Sequence, residues 1–219
     1  MNPDVIKAYI PLFKKAMLLT LRIGWLGILF AALIGVMVAV VQYAKVPVIR
    51  SLAGAYIELF RNTPLLIQLF FLYFALPRVG LGMDAEVCGI LGVSLLGGAY
   101  MADVFRSGLE AVRKGQRESA LSLGMTVQQM LWHVVLPQAA AVSVPGITAN
   151  VIFLLKETSV FSAISLMDLM FTAKDLIGLY YRTEECLVLL VVFYLIILLP
   201  VSLLGYILER RVRYAQPGN

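Results

Sequence analysis

The chain has 219 residues, 61% of them hydrophobic and 14% charged, with a mean hydropathy of +0.89 and a formal net charge of +5. Soluble domains carry about a quarter of charged residues, so this composition excludes an ordinary water-soluble fold and places the chain in a bilayer. The basic excess falls in short loops beside apolar runs, which accounts for it without nucleic acid.

A helix that crosses a hydrocarbon layer about 30 Å thick needs roughly 20 mostly apolar residues, each rising about 1.5 Å. The first segment holds Lys7, Lys14, Lys15 and Arg22 among Tyr9, Pro11 and Phe13, and is expected to form a short amphipathic helix lying at the interface. Residues 23–44 then carry no charge and form the first expected span. The run exceeds a signal-peptide core and lacks a small-residue cleavage pattern, so it is expected to be retained. Lys45 and Arg50 lie in the first loop. The second expected span, 52–77, is interrupted by Glu58 and Arg61, with Asn62, Thr63 and Pro64 about halfway along it. The third, 87–104, contains Asp103, and the fourth, 137–155, contains Pro145 and Asn150. These still read as spans, because helix satisfies the backbone in lipid and neighbouring helices can cover a break.

Between the fourth span and the fifth, 186–208, an apolar piece at 160–170 is too short to cross and is expected to be a re-entrant or surface helix. Ala31, Gly35 and Ala39 in the first span, and Ser94, Gly98 and Ala102 in the third, recur every fourth position. Such stripes let helix backbones approach closely, although small residues are also simply frequent in membrane helices. Cys88 and Cys186 both begin spans at the outer face. A disulfide between them is one reading, and buried apolar filler, the commoner state of cysteine, is the other.

Five spans put the chain ends on opposite sides. Arg210, Arg211 and Arg213 in the tail, and Arg106, Arg113, Lys114 and Arg117 after the third span, place the C terminus and the loop at about 107–136 in the cytoplasm, while acids outnumber bases across 156–185. The basic N terminus, left outside, strains this rule. No repeat or soluble domain interrupts the chain, so residues 1–219 are read as one membrane domain.

The longest polar stretch, 118–137, reads ESALSLGMTVQQMLWHVVLP. Its first six residues suit a helix, Gly124 supplies a left-handed end, and Thr126 with Gln129 has the spacing of a capping box. Two short helices with a tight corner follow, closed by Pro137. Spacing alone leaves open whether this corner docks on another protein or merely lies on the membrane surface.

Enzymatic chemistry is not expected. No Gly-Lys dipeptide is present, so there is no Walker phosphate loop. His133 is the single histidine, with no clustered cysteine or carboxylate to make a metal site, and Asp103 is the one aspartate near a span interior, which leaves no nucleophile and base within the membrane.

The order Glu118, Ser119, Ala120, then Gly124, then Val134, Val135, Leu136, Pro137 resembles the EAA loop of ABC-importer permeases, E-A-A-x-x-x-G-x(9)-I-x-L-P, with both spacings kept. Ser119 stands where alanine is usual and Val134 where isoleucine is. FRNTPLLIQL at 60–69 resembles the F-R-G-T-P-L-L-x-Q-L segment of polar amino-acid permeases, with Asn62 in place of glycine, and LLKETSVFSAI at 154–164 resembles their L-x-K-D/E-T-S-L segment. The resemblance implies an all-α integral membrane protein of about five transmembrane helices with the type I ABC importer permease fold, in a bacterial cytoplasmic (inner) membrane. It further implies a second permease subunit, identical or related, a dimer of ABC ATPase subunits that hold ATP and magnesium, and an extracytoplasmic substrate-binding protein. In the family the EAA loop is the coupling helix, which makes Gln116, Glu118, Ser119, Ala120, Leu123, Gly124 and Met125 the expected contacts to the ATPase.

The cargo implied is a polar amino acid, whose two backbone charges need polar groups at membrane depth. Candidates are Glu58, Arg61, Asn62, Thr63, Pro64 and Gln68 at the break in the second span, and Lys156, Glu157, Thr158 and Ser159 at the end of the fourth. Arg61 can hold a carboxylate in a fork, or can be neutralised by Glu58 three residues earlier on the same helical face. The second group can gate the path or anchor the helix at the headgroups. A secondary transporter or channel is the alternative, and would not need the cytoplasmic corner.

Overall fold

The computed structural model describes residues 1–44 and 47–215; Lys45, one of the bases expected in the cytoplasm, lies outside them. Helices are α1 (Pro3–Ala44), α2 (Pro47–Arg61), α3 (Leu65–Phe70), α4 (Ala85–Ala111), α5 (Lys114–Ser122), α6 (Val127–Met130), α7 (Leu136–Glu157), α8 (Leu169–Tyr180) and α9 (Thr183–Ala215). Four helical stretches, Pro3–Tyr43, Ala85–Ala111, Val127–Ile164 and Thr183–Val212, are long and apolar enough to cross a membrane. A bent pair, α2 with the helix that starts at α3, turned by 100° at the break, makes a fifth when it is counted as one span.

The two small-residue stripes meet. Ala31, Gly35 and Ala39 on α1 and Ser94, Gly98 and Ala102 on α4 are all buried, and these helices form the main contact of the bundle. A Cβ at Gly35 would stand 2.5 Å from the Cβ of Met101, and one at Gly98 would stand 2.7 Å from the Cγ2 of Ile34. Neither site has room for a side chain, so the stripes set the spacing of the helices rather than reflecting mere abundance of glycine and alanine.

The N-terminal segment is not a separate interfacial helix. It is nearly the first half of α1, a helix of 42 residues. Phe13 is fully buried and meets Phe193 of α9 at a centroid distance of 5.6 Å, while Ile6, Tyr9, Ile10 and Met17 keep the same helical face on the core. The backbone N–H of Asn2 donates to Glu185 at 2.9 Å, and the terminal amine lies 3.6 Å from Glu184. Tertiary packing along one face overrides the amphipathic reading, and Lys7, Lys14 and Lys15 lie on the exposed side.

Pro137 does not close the corner's second helix either. α6 passes through a π-helical turn, Leu131–Val135, straight into α7. The N–H of Leu136 bonds to the carbonyl of Leu131, five residues back, and this widened turn gives the proline ring room it would lack in a regular helix. The same device recurs at Phe71–Ala75, where the Leu76 N–H reaches Phe71 just before Pro77.

The apolar piece after the fourth span packs into the bundle. A 3₁₀ turn, Thr158–Ile164, buries Phe161 and Ile164, and Asp168 then caps α8 by accepting from the Phe171 N–H at 2.8 Å. Cys88 and Cys186 are buried free thiols, so the disulfide is not formed.

Asp168 lies outside the spanning helices and is fully buried, with its Oδ2 lacking any hydrogen-bond partner. Burial pushes its carboxyl up to about 7, against the opposing pull of the Phe171 and Met170 N–H groups and Lys174. The folded chain therefore holds a proton that the unfolded chain releases above about pH 4, and stability from this group falls as pH rises toward 7. Thermal unfolding of the detergent-solubilised complex is expected at a higher temperature at pH 5.5 than at pH 8.5. Asp168→Asn, which keeps a capping oxygen, is expected to remove most of that slope, with a gain of roughly 2 kcal/mol at the alkaline end. An identical slope in the variant would refute this assignment.

Candidate functional site

The corner forms as its sequence requires. Gly124 has φ of +82°, its N–H bonds to the Leu121 carbonyl at 3.0 Å, and the Met125 N–H bonds to the Ala120 carbonyl at 3.2 Å. This pair of bonds is the Schellman end of α5. Two residues on, Thr126 and Gln129 complete a reciprocal capping box that starts α6. The turn is therefore fixed by local bonds at both of its ends.

Its surface is an apolar knob in a polar setting. Leu123 at the tip is 82% exposed, Leu121 and Val127 flank it, and Gln116, Glu118, Ser119 and Gly124 are also exposed. Met125 is half-buried. Ala120 faces the other way: it is buried with Val112, Met130, Val135 and Ala139 in a small core beneath the knob. Its smallness seats α5 rather than offering a contact. An exposed leucine tip at a rigid turn is the kind of surface a partner covers.

The second group lies at the break between α2 and α3. Arg61 forms an ion pair with Asp103 of α4, not with Glu58, and its guanidinium lies 5.1 Å from the centre of the Tyr100 ring. Glu58 instead accepts from the Asn62 side chain at 2.9 Å. The local neutralisation by Glu58 is thus replaced by one across helices. Arg106 lies 3.4 Å from the other oxygen of Asp103 and donates to Gln42 of α1 at 3.0 Å. These groups wall a cavity of about 500 Å³ that also admits Arg50 and Glu58. The size lies within the range of small-molecule sites, and both signs of charge face the space.

Thr63 donates to the Leu59 carbonyl at 2.8 Å. Gln68 is buried, and its side-chain nitrogen donates to the carbonyls of Phe60 at 3.1 Å and Thr63 at 2.9 Å, groups that the break at Pro64 sets free. Gln68 therefore clips the bend through its nitrogen, while its buried side-chain oxygen has no hydrogen-bond partner among the described residues and is left free to accept one.

Lys156, Glu157, Thr158 and Ser159 sit at the opposite end of α7 from the corner. Thr158 is fully buried and donates to the Leu155 carbonyl at 2.7 Å, so it supports the 3₁₀ turn, while Lys156 is exposed and Glu157 and Ser159 are half-buried. The two candidate groups do not form one site. They are linked through Tyr100, which meets Phe153 edge to face at a centroid distance of 5.1 Å, one helical turn before Lys156.

Sequence reasoning missed the partners. Asp103 was visible as a charge inside a span, and a carboxylate at membrane depth calls for a cation, so that signal could have found Arg61 and Arg106. Nothing local announced Tyr43, whose hydroxyl accepts from Arg117 of α5 at 2.6 Å, or Gln42 beside it. Consecutive residues in the last turn of α1 are thus held by the corner and by the cavity.

The model of the family described as binding-protein-dependent transport system inner membrane component matches residues 9–214. The chain is 36% identical over 161 residues to the probable glutamine ABC transporter permease protein GlnP of Bacillus subtilis (strain 168), covering 74% of each chain. It superposes on a chain of a crystal structure of an amino acid ABC transporter with histidines with a TM-score of 0.89 and 32% identity, covering 96% of this chain and 99% of that one. An inward facing structure of the MetNI methionine ABC transporter shares the fold, with a TM-score of 0.78 at 20% identity and coverage of 97% and 99%.

Proposed function

The chain belongs to the family of binding-protein-dependent transport system inner membrane components, and from that premise we propose that it forms part of the path by which an ABC importer admits a polar amino acid, driven through the knob at 116–125 by a separate ATPase. Its relatives are permease subunits of ABC amino-acid transporters, which sets the secondary-transporter reading aside. In such systems ATP hydrolysis belongs to a different subunit, in keeping with a sequence that has no phosphate loop. The full assembly proposed is two permease subunits, an ATPase dimer with its ATP and magnesium, and an external binding protein, with the knob and the C terminus in the cytoplasm.

The observation that carries this reading is the clasp on α1. Arg117 of the corner holds Tyr43, and Arg106 of the charged cavity holds Gln42. A displacement of the knob is passed to the cavity wall through one helical turn, without a flexible link between them. Closure of the ATPases on ATP would move the knob, and rigid helices would turn that motion into opening toward one side.

The cargo fits the cavity's charge. Arg61 and Arg106 face a carboxylate, Glu58 and Asp103 an ammonium, and Arg50 adds a further cation at the wall. The test is ATP hydrolysis by the purified assembly with its binding protein, against a panel of amino acids. Stimulation by one or a few polar members is expected, and hydrolysis indifferent to the whole panel would reject the assignment.

A further inference from the structure

The end of the bundle that holds the N terminus carries a separate cavity of about 530 Å³, between α1, the first turn of α4 and residues 167–176. Its walls include Leu12, Leu19, Met167, Phe171 and Leu176. Four charged residues line it as well: Lys15, Arg22, Glu86 and Asp175. Arg22 and Glu86 pair with one another. Lys15 and Asp175 do not: the side chain of neither has an ion pair or hydrogen bond with any described residue. One exposed cation and one exposed anion therefore line the same apolar-walled space without a protein partner.

The depth of this cavity follows from α1. The 22 uncharged residues after Arg22, 23–44, span about 33 Å, the thickness of the hydrocarbon layer. Arg22 thus stands at its edge, and Lys15, two turns earlier, stands about 10 Å beyond, among headgroups. Trp25 is exposed just inside that edge, where indole rings gather. Below the cavity, Trp25 and Leu29 are exposed on one face of α1, a track for an acyl chain that continues from Leu18 in the cavity wall.

We propose that this cavity binds a zwitterionic aminophospholipid, with its phosphate on Lys15, its ammonium on Asp175 and one acyl chain leaving past Leu18 along Trp25 and Leu29. An anionic headgroup would satisfy Lys15 but meet repulsion from Asp175. A choline headgroup has no N–H to donate to the carboxylate. A free amino acid has both charges and leaves the apolar wall and track unfilled. The site is independent of the transport path and of which side of the membrane the N terminus occupies.

The test equilibrates the intact detergent-solubilised complex with vesicles of equal parts phosphatidylethanolamine, phosphatidylcholine and phosphatidylglycerol, and counts retained lipids by native mass spectrometry. The wild type is expected to retain phosphatidylethanolamine over each competitor by about threefold to fivefold, the scale of one exposed charge contact. Asp175→Asn is expected to abolish that preference, Lys15→Gln to lower retention of both phosphatidylethanolamine and phosphatidylglycerol, and millimolar free amino acids to displace nothing. The charge exchange K15D/D175K, which keeps one cation and one anion, is expected to recover part of the preference. Equal retention of the three lipids by the wild type, an unaltered preference in Asp175→Asn, or displacement by a free amino acid would overturn the proposal.

Discussion

Gly124→Asp is expected to insert and assemble like the wild type while transport-linked ATP hydrolysis falls by about tenfold, the equivalent of about 1.4 kcal/mol of lost coupling. Gly124 adopts φ of +82°, and a Cβ built there meets nothing within 4 Å. The cost inside the subunit is therefore backbone strain alone, about 1 kcal/mol, and aspartate is among the residues that tolerate this conformation best. The new carboxylate stands on the knob between exposed Leu123 and half-buried Met125, where a docked partner would have to strip it of water. Gly124→Asn separates the causes, since it imposes the same backbone strain without the charge, and is expected to keep most of the coupled activity. Uptake by Gly124→Asp at the wild-type rate would remove the docking role from the corner.

Arg61→Ala is expected to lower substrate-stimulated turnover by about tenfold to a hundredfold, the scale of a lost charge-assisted contact, with assembly intact. Asp103 keeps Arg106 at 3.4 Å in this variant, so this half-buried carboxylate is not left without a cation. Asp103→Asn behaves differently: it leaves Arg61 and Arg106 facing each other across the cavity, and is expected to reduce the yield of folded complex. The contrast between the two variants separates a cargo contact from a structural ion pair. Normal substrate-stimulated turnover in Arg61→Ala would reject the cargo contact, leaving Arg61 as a partner of Asp103 alone.

What was legible in the sequence is what short-range chemistry fixes. Gly124, Thr126 and Gln129 set the corner through bonds that reach no further than five residues, so spacing alone drew it correctly. The uncharged runs located the spans because the bilayer imposes their length. The small-residue stripes were legible as a pattern, and only the structure shows that they face one another.

The errors arose where a distant element decides. The N-terminal segment looked amphipathic, but Phe13 finds Phe193 in the last helix and keeps the segment in the bundle. Pro137 looked like a stop, and a π turn one residue before it lets the helix continue. Glu58 was the near neighbour of Arg61, yet the partner is Asp103, 42 positions away. The nitrogen of Gln68 lies across the bend on two freed carbonyls, a role its motif does not announce, while its side-chain oxygen has no partner among the described residues. Ala120 belongs to the most specific motif in the chain and still points inward, because a motif records which residue is needed and not which way it faces.

The most direct measurement is crosslinking from Leu123→Cys, at the exposed tip of the knob, in membranes that contain the assembled transporter. A thiol crosslinker is expected to join this position to the ATPase subunit, with a yield that changes when ATP is added. Crosslinks to no ATPase, or a thiol at that position shielded by lipid, would contradict the knob's role as the handle through which hydrolysis drives transport.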